Sequence, residues 1–238
     1  MQRIYRISLF LVFIVASVSI QAQTAKTYFE DGSIKFRMKK YDQAVADFTK
    51  AIELKPDFTD AYYYRALIKI KLKDSSALSD LNKTIELDPK NAKAYSFRGV
   101  VKFTLKHYQE ALSDFDKTIS LLPNYEEAYF YKGSCLMELK NYDESIAQLT
   151  KAIELKPDYT GAYYQRAITQ YLKKDYSAAI LDFDKTAQLD SNYSIRLFFF
   201  RGDVKIKVGQ NESACADFKK SLDAGYKQAE EMIKKYCQ

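Results

Sequence analysis

Apolar and small residues recur along the chain three and four positions apart, which is the period of an amphipathic α-helix. The recurrence comes in pairs of segments. The first segment of a pair carries an aromatic residue and a small residue four positions later, as at Tyr95 and Gly99. The second carries a small residue and a large apolar one four positions later, as at Ala111 and Phe115. Each pair therefore predicts two helices joined by a short turn, and the small residue of the first helix is expected to let two helices approach closely.

The four prolines mark the joint between one pair of helices and the next. Pro56, Pro89, Pro123 and Pro157 are 33, 34 and 34 residues apart. The seventeen residues 50–66 around the first of them recur, with three changes, at 151–167 around the last. A fixed period of this length is typical of an array of repeated helix-turn-helix units.

The positions that define one unit are an aromatic residue, a small residue, an alanine, a second aromatic residue and a proline, at Tyr95, Gly99, Ala111, Phe115 and Pro123. In these positions the chain resembles the tetratricopeptide repeat family. The resemblance implies an all-α, right-handed solenoid of about six units with a C-terminal capping helix. We place the units at residues 25–58, 59–91, 92–125, 126–159, 160–193 and 194–223, and the capping helix at 226–237.

A second periodic pattern concerns charge. In units two to six a base precedes the small residue of the first helix, and an acid usually precedes the large apolar residue of the second helix. The first unit has Asp31 in place of the base, so pairing within that unit would set Asp31 against Asp47. We therefore expect ion pairs between adjacent units, which would fix register more than add stability. The expected pairs are Asp47–Arg65, Asp80–Arg98, Asp114–Lys132 and Asp182–Arg201.

The formal net charge of the 238-residue chain is +6, but acids and bases are interleaved throughout. This pattern is typical of a solvated surface, and we expect no nucleic-acid partner.

The first 22 residues have the composition of a signal peptide. Arg3 and Arg6 precede the apolar run 7–20, and Ala22 offers a small residue for cleavage. The alternative is an uncleaved membrane anchor, but the run is shorter than the ~20 residues that span a bilayer. We expect cleavage near Ala22 and a periplasmic or secreted protein with no membrane span after cleavage.

No residue pattern in the chain supports catalysis. His107, the single histidine, falls in a predicted turn, and the chain has no histidine pair or cysteine cluster with metal-ligand spacing. Asp114 and Asp116 stand two residues apart on a predicted helix, as do Asp182 and Asp184, so they point to different faces. We expect no enzyme activity, no metal and no cofactor.

The cysteines predict one disulfide. Cys215 and Cys237 lie ten and twelve residues on either side of Gly225, which separates two predicted helices. An antiparallel pair of such helices would bring both cysteines to the same end, and export would permit their oxidation. The alternative is a pair of free thiols. Cys135 is expected to be a buried apolar residue.

The resemblance also implies a concave surface lined by the first helices, which in this family binds peptides or extended protein segments. The inward positions carry mostly aromatic and aliphatic residues, which are Phe29, Tyr63, Leu67, Ile70, Ser96, Val100, Phe103, Phe130, Met137, Tyr164, Ile168, Tyr171, Phe199 and Ile206. We define the aromatic trough by seven of them, which form the candidate peptide-binding groove: Phe29, Tyr63, Phe103, Phe130, Tyr164, Tyr171 and Phe199.

Two interpretations of the trough remain open. The first is a non-enzymatic interaction module, an adaptor, scaffold or assembly factor that binds a protein or peptide partner. The second is a self-associating structural array of the cell envelope. They differ in whether the trough is open or occupied by another copy of the chain.

Overall fold

The computed structural model describes residues 23–237, so the predicted signal peptide and its cleavage position lie outside the described residues. Within that range the chain forms α-helices and turns and no β-strand. The helices are α1 (23–37), α2 (Tyr41–Leu54), α3 (Thr59–Lys71), α4 (Ala77–Leu87), α5 (Ala92–Thr104), α6 (Tyr108–Leu121), α7 (Glu126–Glu138), α8 (Tyr142–Leu155), α9 (Thr160–Lys173), α10 (Tyr176–Leu189), α11 (Leu197–Lys207), α12 (Asn211–Asp223) and α13 (Ala229–Tyr236).

The ends of the helices follow from local chemistry. Lys55 and Lys156, which directly precede prolines, have extended backbones with φ of −139° and end α2 and α8. A residue before proline is driven out of the helical region by a clash with the proline ring. Asn91 and Asp175 begin helices by accepting hydrogen bonds from the backbone N–H groups of Ala94 and Ala178.

The described chain divides into two compact parts, a first part up to Leu105 and a second part from Lys106. Within each part consecutive helices pack against each other. Alternate helices also touch, α3 with α5 in the first part, and α7 with α9 and α9 with α11 in the second. The first helices of neighbouring units therefore lie side by side. This is the packing of an all-α repeat solenoid and confirms the predicted fold class, while the exact unit boundaries stay a prediction.

Small residues let the two helices of a unit approach closely, as the sequence predicted. A Cβ atom added to Gly32 would lie 2.9 Å from the ring of Phe48, and one added to Gly202 would lie 2.8 Å from that of Phe218. At Gly133 the side chain of Leu149 would be 2.7 Å away. Phe48, Leu149 and Phe218 are fully buried.

The predicted ion pairs between adjacent units are wrong for Asp47, Asp80 and Asp182. Asp80 is bound by Arg65 of its own unit through two hydrogen bonds of 2.6 and 2.9 Å, and Asp182 is bound in the same way by Arg166. Arg201 likewise binds Asp217. The acid and the base of one unit thus face each other across its two antiparallel helices.

The first unit avoids a contact between two acids by using a different base. Lys35, one helical turn beyond Asp31, places its Nζ atom 2.5 Å from Asp47. Lys69 and Lys205 occupy the corresponding places in units two and six and contact Asp80 and Asp217. The prediction failed because it considered the base at one position and not the second base a turn later.

Contacts with the preceding unit do exist, but they use the residue two positions after the acid. Arg65 and Arg166 donate to Thr49 and Thr150, and Arg98 donates to Asn82. Lys132 pairs with Asp116, and Arg201 pairs with Asp184 instead of the expected Asp182.

Replacing Asp182 with alanine leaves the Arg166 guanidinium partly buried without its carboxylate. Removing one partner of a buried pair costs about 3 kcal/mol, so we expect the urea midpoint of unfolding to fall clearly. Lys50→Ala is the control, since the Lys50–Glu53 pair is exposed and its loss should leave the midpoint unchanged. Equal midpoints for Asp182→Ala and wild type would contradict a structural role for the pair.

The first helices end at a lysine in a left-handed backbone conformation. Lys39, Lys73, Lys106, Lys140 and Lys174 have φ between 59° and 69°, and Gly209 takes the same place after α11 with φ of 80°. After α7, Lys140 and Asn141 donate to the backbone oxygens of Met137 and Leu136, the hydrogen bonds of a Schellman motif.

A non-glycine residue in this conformation is strained, so Lys140→Gly should stabilise the protein by roughly 0.5–1 kcal/mol. The matched change Gly209→Lys should destabilise it by a similar amount. Both are measured by urea unfolding followed by circular dichroism. The same sign for the two changes would be inconsistent with backbone strain as the cause.

Candidate functional site

The residues of the aromatic trough all lie on first helices, and every one of them is half-buried. Phe29, Tyr63 and Phe103 belong to the first part of the chain, on α1, α3 and α5. The others belong to the second part, which holds Phe130 on α7, Tyr164 and Tyr171 on α9, and Phe199 on α11. Among the other predicted inward positions, Ser96 is buried, so it adds no exposed surface to the trough.

Four trough rings each pack against a second aromatic ring that precedes the next first helix. The ring centroids are 4.8 Å apart for Phe29 and Phe58, 5.1 Å for Phe130 and Tyr159, 5.3 Å for Tyr164 and Tyr193, and 4.9 Å for Phe199 and Tyr226. The sequence-based prediction missed these partners. Their spacing was a usable signal, since three of the pairs are 29 residues apart and the last is 27.

A second set of missed aromatic residues comes directly after predicted inward positions. Tyr64, Phe97 and Phe200 follow Tyr63, Ser96 and Phe199. Tyr64 contacts both Tyr63 of its own helix and Phe29 of the preceding unit, with centroids 5.6 and 5.7 Å apart. Phe97 contacts Tyr63, and Phe200 contacts Tyr171. These rings join the trough residues of one unit to those of its neighbour, so the trough is a packed aromatic surface within each part.

The tyrosines of the trough are neutral hydrogen-bonding groups. Burial raises the pKa of Tyr63 to about 12, and burial also raises the pKa of Tyr164. Burial raises the pKa of Tyr171 as well, helped by the 2.7 Å hydrogen bond that its hydroxyl donates to Asp203. A surface of half-buried rings with a few neutral hydroxyl groups can bind apolar or aromatic side chains and direct a small number of polar contacts.

The other candidates from the sequence are arranged for structural roles. His107 directly precedes α6 and is exposed, with Glu110 3.7 Å away. Asp114 and Asp182 are buried while Asp116 and Asp184 are about half exposed, so the two members of each pair face different environments, as predicted. Residues 23–237 contain no group of three or more side chains arranged to hold a metal ion. No helix in this range has both the length and the hydropathy needed to cross a membrane.

At the C-terminal end, Cys215 and Cys237 are joined by a disulfide, with Cα atoms 5.6 Å apart. The bond ties α13 to α12, and Ala229, Met232 and Ile233 of α13 cover Phe218. The third cysteine, Cys135, is fully buried, and burial raises the pKa of its thiol to about 12.

Reduction of this disulfide should release α13 and lower the stability of the sixth unit. A bond that closes a loop of this length contributes roughly 3 kcal/mol, by constraining the unfolded chain. We expect dithiothreitol to raise the intact mass by two hydrogen atoms and to lower the midpoint of unfolding. The variant Cys135→Ala should respond to the reductant in the same way as wild type. An intact mass that reductant does not change would contradict the bond.

Comparison with known proteins agrees with this architecture. The family model described as "Tetratricopeptide repeat" matches residues 25–58 and 126–159. Among solved structures, PilW, a widely conserved type IV pilus biogenesis factor, is 20% identical over 86% of this chain and 94% of that chain, with a TM-score of 0.74. A tetratricopeptide repeat protein from Parabacteroides merdae ATCC 43184 is 25% identical over 90% and 84% of the two chains, with a TM-score of 0.63.

A third solved structure is YrrB, described as a TPR protein with an unusual peptide-binding site. It is 22% identical over 75% of this chain and 93% of that chain, with a TM-score of 0.65. The search of curated proteins gives no match.

Proposed function

The chain is a tetratricopeptide-repeat protein, and from that premise we propose that it is an exported, non-enzymatic interaction module whose aromatic trough binds an extended segment of another protein. The observation that carries this proposal is the packing and partial exposure of the trough rings. Each is half-buried, and rings such as Phe130 and Tyr164 pack against aromatic neighbours while part of their surface stays exposed.

Such rings are suited to binding because they are already fixed. Phe130 contacts Tyr131 and Tyr159, and Tyr164 contacts Phe183 and Tyr193, so a ligand does not have to order them. Affinity depends strongly on avoiding that entropic cost, and aromatic anchors dominate many protein interfaces. We therefore expect a partner segment with apolar or aromatic side chains.

Two features support export. The first 22 residues have the pattern of a cleavable signal peptide, with a basic start, an apolar run and Ala22. A disulfide between Cys215 and Cys237 fits an oxidising compartment such as the periplasm or the extracellular space. We propose cleavage near Ala22 and action in the cell envelope or outside the cell.

The working role that we propose is that of an adaptor or assembly factor. The fold similarity to PilW, described as a pilus biogenesis factor, and to YrrB, described as peptide-binding, supports an interaction role of this kind without naming the partner. The likeness does not assign this chain to pilus assembly.

Self-association is the second candidate, and the exposed apolar residues favour it. Leu181 on α10 is 70% exposed, and Met38 and Ile195 are more than half exposed. Single exposed apolar residues are common on protein surfaces, so they carry this candidate less far than the trough rings carry the first.

The test is capture of a partner by crosslinking in the native envelope fraction, with wild type compared with a trough variant. Because the rings also pack against neighbours, the variant is Tyr63→Leu, Phe130→Leu and Tyr164→Leu, which keeps apolar volume and removes the ring faces. The captured segment is then synthesised, and its affinity is measured by calorimetry. We expect the variant to bind it at least about tenfold more weakly, because aromatic anchors carry much of the binding energy.

The matched control is Leu181→Ala, which changes an exposed apolar residue outside the trough. It should bind the peptide as tightly as wild type, and all three proteins should have the same helicity by circular dichroism. Equal affinity of wild type and trough variant would contradict the proposal. Capture of further copies of the chain alone would favour self-association.

A further inference from the structure

In four of the six units the second helix begins with a tyrosine, at Tyr41, Tyr108, Tyr142 and Tyr176. The second unit has none. Three residues, Asp74, Ser75 and Ser76, stand between its left-handed Lys73 and the buried Ala77. The first unit has four residues, 40–43, between the equivalent Lys39 and Ala44.

In the first unit this tyrosine lies between the first helix of its own unit and that of the next, and Tyr108 and Tyr176 each contact one of the two equivalent helices. The ring of Tyr41 is 6.2 Å from that of Phe36 in α1, and the Nζ atom of Lys71 in α3 lies 5.7 Å from its centroid. Tyr176 is 6.2 Å from Tyr171 in α9. The hydroxyl of Tyr108 hydrogen-bonds Glu138 in α7.

In the second unit the equivalent place is an open cavity of about 360 Å³. Ile70 lies three residues before the left-handed lysine, as Phe36 and Tyr171 do in their units. Thr104 lies two residues before the next such lysine, as Lys71 and Glu138 do. The cavity is lined by α3, by α5 and by the short turn, through Ile70, Ser75, Val100, Val101, Thr104 and Leu105, with Lys73 and Asp74 at the turn.

We propose that this cavity binds one aromatic side chain, a tyrosine or phenylalanine, of a partner protein, in the place that the chain's own tyrosine takes in four of the other units. An apolar cavity of about 150 Å³ is already large enough to hold benzene, so this one admits a phenol ring. Leu105 and Leu72 add exposed apolar surface close by, being 40% and 50% exposed.

The proposal for the cavity rests on the proposed function in one respect only, which is that the aromatic ring comes from a protein segment. The cavity lies in the first part of the chain. Two residues that line it, Ile70 and Val100, are also predicted inward positions of the concave surface. Tyr41, Tyr108 and Tyr176 identify the occupant, because they show which side chain the equivalent helices accept in three of the other units.

The probe is p-cresol, which has the structure of the tyrosine side chain, added to the full chain and followed by methyl NMR. We expect saturable shifts, with a dissociation constant in the low millimolar range, at the methyl groups of Ile70, Val100, Val101 and Leu105. Ser75→Tyr, which supplies a ring from the turn, should abolish them. Thr104→Tyr fills the cavity from α5 and should do the same.

Tyr41→Ala is the positive control, because it opens the equivalent place in the first unit and should create a second site for p-cresol beside Phe36. Absence of saturable shifts at the four residues in wild type, or shifts that persist in both filled variants, would overturn the proposal. The trough variant tests the proposed function separately. If wild type binds p-cresol and the trough variant still binds the partner, the proposal for the cavity stands and the proposal for the trough is wrong.

Discussion

The packing of each unit depends on one contact, in which a large apolar side chain of the second helix lies over a small residue of the first. Phe48 lies over Gly32, Leu149 over Gly133 and Phe218 over Gly202, at distances that leave no room for a Cβ atom. A repeat array has no central core and buries its apolar surface only within and between neighbouring units. The close approach therefore fixes the position of the two helices relative to each other. The directions of their other side chains follow from that position.

Because the helices are held in this way, the same aromatic residues contribute to packing and to the exposed surface. Phe29 contacts Phe48 and Phe58, and Phe199 contacts Phe218 and Tyr226. A ring that packs against its neighbours while part of its surface stays exposed is already ordered before a ligand arrives. Stability and the proposed recognition are thus coupled in the trough, and a substitution there that removes volume would act on both.

Departures from the repeat pattern are compensated locally in some units and not in others. In the fourth unit Gln148 replaces the usual acid, and the base of that unit, Lys132, pairs with Asp116 of the preceding one. Ser145, in place of alanine, donates a hydrogen bond to the backbone oxygen of Gly133. In the second unit the turn is shorter and carries no tyrosine, and the result is the cavity beside Ile70.

The sequence was sufficient for the features that depend on period. The spacing of the prolines, 33 or 34 residues, and the three- and four-residue spacing of apolar and small positions predicted the helices, the short turns and the close approach at Gly32, Gly133 and Gly202. The same periodicity placed the trough residues on first helices. These features follow from the sequence because each repeat is a local unit with the same internal geometry.

Only the tertiary structure decided which side chains meet when several lie within reach. The acids Asp80 and Asp182 pair within their own units, contrary to prediction, because the antiparallel helices of a unit bring its own base, Arg65 or Arg166, to the acid. At Asp80 a second base, Lys69, joins the first. The aromatic partners Tyr159, Tyr193 and Tyr226, and the cavity left by a missing tyrosine, also appear only once neighbouring first helices are set side by side. Sequence periodicity determines the face on which a residue lies, whereas the partner it meets across that face depends on the spacing and rotation of the next helix.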